Sequence, residues 1–166
     1  LFRSVAVLLG KDLSIAWEKN EAYRINFKED LLGSGLDYYE AIHILKPFFE
    51  NDGIKKITHD AKKLILKLAS CGILIKGLEF DTLIGGYLLE PTRSKYEPEQ
   101  LLYDYTHADT MVADSSDLLK LANVMKKRLE EAGMRELYTQ LEHPLIRVLA
   151  DMEMDGFKVD KGMLQQ

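Results

Sequence analysis

Apolar and polar positions change their period twice along this chain. Ser4 to Leu9 is a short apolar run, partly β-branched, and Leu13 to Trp17 continues in the same way. Ala22 to Phe27 alternates through Tyr23, Ile25 and Phe27. A period of two is that of a strand with one buried face, and Gly10-Lys11-Asp12 supplies a turn, so this region predicts antiparallel strands. Gly33-Ser34-Gly35 then breaks the pattern. Asp37 to Phe49 carries apolar residues at helical spacing, and Pro47, which has no backbone donor, marks a kink or a break into two pieces.

Asn51-Asp52-Gly53 reads as a turn and Ile54 to Ile57 as a buried strand. From Asp60 the period becomes helical. Ala61, Leu64, Ile65, Leu68 and Ala69 fall on one face, and Gly72 closes the helix as a left-handed cap. Ile73 to Phe80 is short and extended. Asp81 caps a further helix, which Pro91 stops. Arg93 to Asp114 is the least regular part, with a short helical candidate at Pro98 to Tyr103. A long helix starts at Ser115 or Ser116 and ends near Gly133. A last helix runs from about Met134 to Met154, with Pro144 able to kink it. Asp155-Gly156 is a turn, Phe157-Lys158-Val159 a brief strand, and Asp160 the cap of whatever helix follows. Strands first, then alternating helix and strand, then helices predict a mixed α/β domain with helices on its sheet.

Composition narrows the class. The chain has 166 residues, 46% hydrophobic and 30% charged, which suits one soluble domain with a single core. Its four prolines and eleven glycines leave no room for a long disordered linker. A net charge of −5 argues against strong solitary binding to duplex DNA. Cys71 is the only cysteine, so no internal disulfide is possible and a reducing, cytoplasmic setting is expected. Val5 to Leu9 is too short to span a membrane. The chain opens on Leu1 and stops at Gln165-Gln166 inside an apparent helix start, so a piece of a longer polypeptide is expected.

The block from His59-Asp60 through Phe80-Asp81-Thr82 to Tyr87-Leu88-Leu89-Glu90-Pro91 resembles the 3′–5′ exonuclease domain of bacterial DNA polymerase I, a family-A polymerase. So does the tail Leu141-Glu142-His143-Pro144-Leu145, Val148-Leu149, Met152-Glu153, Gly156, Val159-Asp160. The resemblance implies a ribonuclease-H-like fold. It divides the chain into an exonuclease-like domain over 1–141, with room for the family's first strand upstream, and a connection into the polymerase domain over 142–166.

Active members hydrolyse a terminal phosphodiester with two divalent metals held by carboxylates from three separate parts of the chain. The first part is an Asp-x-Glu on the opening strand. Leu1 to Leu9 and Leu13 to Trp17 hold no acid. The literal Asp151-Met152-Glu153 sits late, on a helix, and reads as a solvated face. The second part is an Asn or Asp followed four residues later by Asp. Its positions here are Asp60 and Leu64, or His59 and Lys63 after a shift of one, and neither pair supplies the second carboxylate. A hard cation needs oxygen, and Leu64 offers hydrocarbon whose burial contributes roughly 1.5–3 kcal/mol. Asp60 reads as a helix cap. The third part, Tyr-x-x-x-Asp, falls on Thr110 and Asp114, while a literal match stands at Tyr105 and Asp109.

Other features are bland. His59-Asp60 lacks a third ligand, and Asp81-Thr82 is a cap with a hydroxyl behind it. Tyr38-Tyr39 and Phe48-Phe49 could stack on single strands, but packing is the better reading. There is no phosphate-cradling glycine loop and no nucleophile elbow.

The expectation is therefore an inactive exonuclease-like scaffold with no catalytic or metal residues of its own. Asp60, Leu64 and Asp114 are its vestigial positions, and Tyr105 and Asp109 the alternative third motif. By resemblance the parent would be a monomeric, cytoplasmic polymerase of replication and repair that uses Mg. Its remaining chain would be this domain's partner, with DNA met only through it and no membrane. Two alternatives stand beside this: an active two-metal nuclease using Asp60 and Asp109 or Asp114 with upstream carboxylates, and a plain protein-interaction module.

Overall fold

A computed structural model describes residues 4–28 and 34–156; the strand expected at Phe157–Val159, the Asp160 cap and Gly33 lie outside them. Three strands come first: β1 (Ser4–Leu9), β2 (Asp12–Glu18) and β3 (Glu21–Asn26). They form an antiparallel meander. The β2–β3 turn is tight because Asn20 takes a positive φ of 70°, a conformation that asparagine tolerates better than most residues. The helical run at 38–49 is broken where the sequence predicts: α1 (Tyr38–Ile44) ends at Leu45, and α2 (Lys46–Phe49) begins with Pro47 in its first turn.

β4 (Lys55–Thr58) then returns to pair parallel with β1, and β5 (Leu78–Asp81) pairs parallel with β4. The strand order is β3-β2-β1-β4-β5, a mixed sheet with β1 at its centre. Only the end of the expected 73–80 stretch is a strand, while Ile73 and Ile75 are buried without joining the sheet.

Between β4 and β5 runs α3 (Ala61–Ala69), capped by the Asp60 side chain on the Lys63 N–H at 3.1 Å. Its stripe, Ala61, Leu64, Ile65 and Leu68, is buried, and Gly72 closes it at φ 69°. After β5 come α4 (Thr82–Leu89), α5 (Pro98–Thr106) and the long α6 (Ser115–Glu131). The last predicted helix is three pieces: α7 (Arg135–Leu137), a π-helical turn (Tyr138–Glu142) and α8 (His143–Asp155). Pro144 cannot donate a helical hydrogen bond, and it falls in the first turn of α8, so a new helical segment starts there.

Strand alternation sends side chains to two cores. Val5, Val7 and Leu13 face α1, α2, α3 and α8, joining Ile42, Phe49, Leu64, Leu68 and Ile146. Ala6, Ala16, Ile57 and Phe80 face α4, α5 and α6, joining Leu101, Leu118, Leu121 and Met125. Small residues let α6 lie close to the sheet, close enough for Ser14 and Ser115 to share a buried hydroxyl hydrogen bond of 2.8 Å.

Candidate functional site

The carboxyl ends of β1 and β4 open onto a cleft of about 640 Å³. Leu8, Leu9 and Gly10 come from the end of β1, and Thr58, His59 and Asp60 from the end of β4. The first turns of α3 add Lys63, Leu64 and Lys67, and the segment Ser94 to Glu99 forms the opposite wall. Leu64 is only 4% exposed and lines the cleft with its neighbours Leu8 and Leu83. The position four residues after Asp60 therefore does face the hollow beside the central strands, and it presents hydrocarbon there.

Four acidic residues also line this cleft: Asp12, Asp60, Glu97 and Glu99. Three of them have structural partners. Asp60 caps α3, Asp12 pairs with Arg24 at 3.1 Å, and Glu99 accepts from the Ala113 N–H at 3.0 Å. Among the described residues, no group of three or more His, Cys, Asp or Glu could hold a metal ion. Lys67 crosses to the end of β1 and donates to the Leu9 carbonyl at 2.9 Å. Burial there pulls its pKa down, with Lys63 adding to the effect.

His59 and Asp81 stiffen the floor. His59 Nδ1 lies 2.9 Å from Thr82 Oγ1. Burial lowers the His59 pKa and outweighs the pull of Asp60, Glu97 and Glu99. Asp81 is 2% exposed and accepts from the Asp60, Ala61 and Leu83 N–H groups at 3.0, 2.8 and 2.8 Å. Burial raises its pKa to about 6 despite those three donors. Asp81 thus ties the end of β4 to the starts of α3 and α4, a larger task than the single cap read from the sequence.

The third-motif candidates stand elsewhere. Asp114 caps α6, accepting from the Ser116 and Asp117 N–H groups at 2.8 and 3.0 Å in a reciprocal capping box. It is the neighbouring Ala113 that lines the cleft. Tyr105 donates to Glu90 at 3.0 Å with the Arg128 guanidinium over its ring. Asp109 is exposed in the loop after α5. Asp151 and Glu153 sit on α8, paired with Arg147 at 2.9 Å and Lys62 at 2.7 Å. Sequence reading missed Lys67 and the 94–99 wall. The wall lies in the irregular stretch, where no period reveals what faces inward.

The family model for the DNA polymerase I, ribonuclease H-like domain matches residues 14–116. DNA polymerase I of Bacillus subtilis is 31% identical over 147 residues, spanning 74% of this chain and 17% of that protein. The Caldicellulosiruptor bescii enzyme is 35% identical over 133 residues, spanning 74% and 15%. Among solved structures, the POL domain of Pol1 from M. smegmatis in complex with DNA primer-template and dNTP superposes with a TM-score of 0.79. It is 26% identical and covers 98% of this chain and 30% of that one. Brucella melitensis NrnC with bound Mg2+ shares the fold at a TM-score of 0.68 and 16% identity, covering 96% and 89%. With a matching family model over most of its length and a five-stranded mixed sheet to go with it, the chain belongs to the ribonuclease-H-like domain family of DNA polymerase I.

Proposed function

We propose that this chain is a catalytically inactive 3′–5′ exonuclease-like domain, carried as a scaffold within a longer DNA polymerase I. The observation that carries the reading is Leu64 in the cleft wall. Divalent ions of the hard class take oxygen ligands, and at this point the cleft offers a methyl-bearing side chain instead. The end of β1 supports the same reading, since it brings Leu8 and Leu9 to the cleft. Both edges of β1 are already bonded, to β2 and to β4. A strand contributed from upstream could add only outside β3 or β5, away from the centre where an Asp-x-Glu would have to stand. The donors present do not fit a pair of metal ions, because Asp60 and Glu99 are engaged by backbone N–H groups and Leu64 offers no oxygen.

The chain spans about a sixth of the length of the polymerases it matches. Primer extension with Mg, in replication and repair, would belong to other parts of a parent chain, which would also bring the domain to DNA. Among the described residues, no helix is long and apolar enough to cross a membrane.

One observation favours an active nuclease instead: four acidic residues line the cleft. Against it, Asp60 and Glu99 spend a carboxylate oxygen on backbone N–H groups, and neither Asp109 nor Asp114 lines the cleft. Calorimetric titration with Mn²⁺, paired with an assay for nucleotide release from a labelled 3′ end, decides. Neither two-ion binding nor release is expected. Two ions bound at micromolar affinity, together with release, would overturn the proposal.

A further inference from the structure

β5 ends the sheet: in the order β3-β2-β1-β4-β5 it pairs with β4 and, among the described residues, with no strand beyond. Such an edge presents backbone N–H and C=O groups to any extended chain nearby. The opposite edge, β3, carries exposed Glu21 and Arg24, charges of the kind that discourage further pairing. β5 reads Leu78-Glu79-Phe80-Asp81, and Lys126 neutralises Glu79 at 2.6 Å while Asp81 is buried. Charge therefore does not guard this edge.

Two irregularities meet there instead. The Lys56 N–H of β4 donates to the Gly77 carbonyl at 2.7 Å, so its ladder partner Leu78 turns its own backbone groups outward. The Asp81 N–H also points outward, since it donates to the Tyr138 hydroxyl at 2.7 Å. In a regular strand, where direction alternates, positions 78 and 81 would face opposite ways. They agree because β5 carries one extra residue, Glu79, between the Lys56–Leu78 and Ile57–Phe80 pairings. The helix facing them has the matching irregularity: the His143 N–H donates to the Tyr138 carbonyl, five residues back. In an α-helix residues five apart would point about 140° away from each other. The wider π turn brings them to one side, with the two rings 5.8 Å apart. Tyr138 thus meets Asp81, and His143 lies against the Leu78 backbone. Hollows of about 390 and 320 Å³ adjoin the two rings, so the edge is stopped at two points rather than by a packed helix face.

We propose that the π-helical turn is a plug for the β5 edge: Tyr138 and His143 occupy its two outward positions and keep the sheet from taking a sixth strand. The strand excluded is β5 of a second copy. It offers the same two outward positions, and it can pair antiparallel with its twin about a twofold axis, as identical edges do. The proposal concerns β5 alone and stands whether or not the cleft is inactive.

The test combines amide hydrogen exchange with sedimentation velocity on the full-length polymerase. Tyr138→Phe/His143→Ala removes both stops. At low protein concentration, exchange over residues 78–81 is expected to rise at least ~10-fold, while the β1 amides of residues 5–9 keep their protection. As concentration rises, the double variant should dimerise and protection over 78–81 should return, whereas the parent chain stays closed at every concentration. If the double variant also loses β1 protection, it has unfolded, and Tyr138→Phe alone, which keeps the ring on Phe80, carries the same two measurements. Unchanged exchange over 78–81 would overturn the proposal. So would a variant that opens this edge yet stays monomeric, or a dimer in which 78–81 remain unprotected. The metal titration reads the cleft and this experiment reads β5, so failure of one is distinguishable from failure of the other.

Discussion

Leu64 fills its place in the cleft wall as a core residue does, at 4% exposure. Leu64→Ala should therefore cost about 2–5 kcal/mol in urea unfolding, the range for emptying a buried leucine site. A cost under 1 kcal/mol would mean that the side chain is dispensable to the wall. Asp81 is the other residue with a sharp signature. Its pKa is raised from 3.8 to about 6, chiefly by burial. The fold thus favours the protonated acid, so the contribution of Asp81 to stability is complete below about pH 4 and is lost as pH rises through about 6. A carbon-detected NMR titration of the Asp81 carboxyl should show a midpoint near 6. A midpoint at or below 4 would mean that the three amide donors outweigh burial. That Asp60 begins a helix and Leu64 belongs to its buried stripe was legible from spacing alone. The burial of Asp81 under three converging amides was not, since two of the donors come from a segment 20 and 21 residues earlier.

At the scale of elements, caps and metal ligands draw on the same residue types, and sequence cannot separate them without geometry. Asp114 illustrates this. Its position fits the vestigial third motif, and its carboxylate holds the start of α6. Asp114→Ala should cost about 1 kcal/mol by loss of that cap, whereas Asp109→Ala, in an exposed loop, should change stability by less than about 0.5 kcal/mol. Equal effects in denaturant melts would contradict the assignment. Periodic elements were readable almost throughout: the meander, the break at Pro47, and the helix from Asp60 to the Gly72 cap. The π-helical turn was not, because no periodicity marks one inserted residue per turn. The 94–99 wall was not either, because it owes its place to the ends of α4 and α5 rather than to its own pattern. There Arg93 bonds both Glu90 and Asp104, and Tyr96 donates to the Glu90 carbonyl at 2.8 Å.

Over the whole molecule, the sheet and the C-terminal helices are joined through Tyr138. Its hydroxyl accepts the Asp81 N–H at 2.7 Å, and its ring stacks on Phe80 at 4.8 Å. Tyr138→Phe keeps the stack but strands a buried N–H, so a loss of about 1–3 kcal/mol is expected in thermal or urea unfolding. No measurable loss would show that the N–H finds another acceptor. The ladder order was the least legible feature at this scale, because parallel pairing depends on residues about fifty positions apart, such as Val7 and Thr58. That separation also governs how the chain is born. The β1–β2–β3 meander closes on short turns and can form once Asn26 is available. The remaining edge of β1 stays bare until Lys55–Thr58 arrive, and non-local pairing of this kind is slow. For that interval the strand destined for the middle of the sheet is an outer one, with Val5 and Val7 beside an unsatisfied ladder. Newly made chains are at their most adhesive then, in the stretch of synthesis between the meander and the fourth strand.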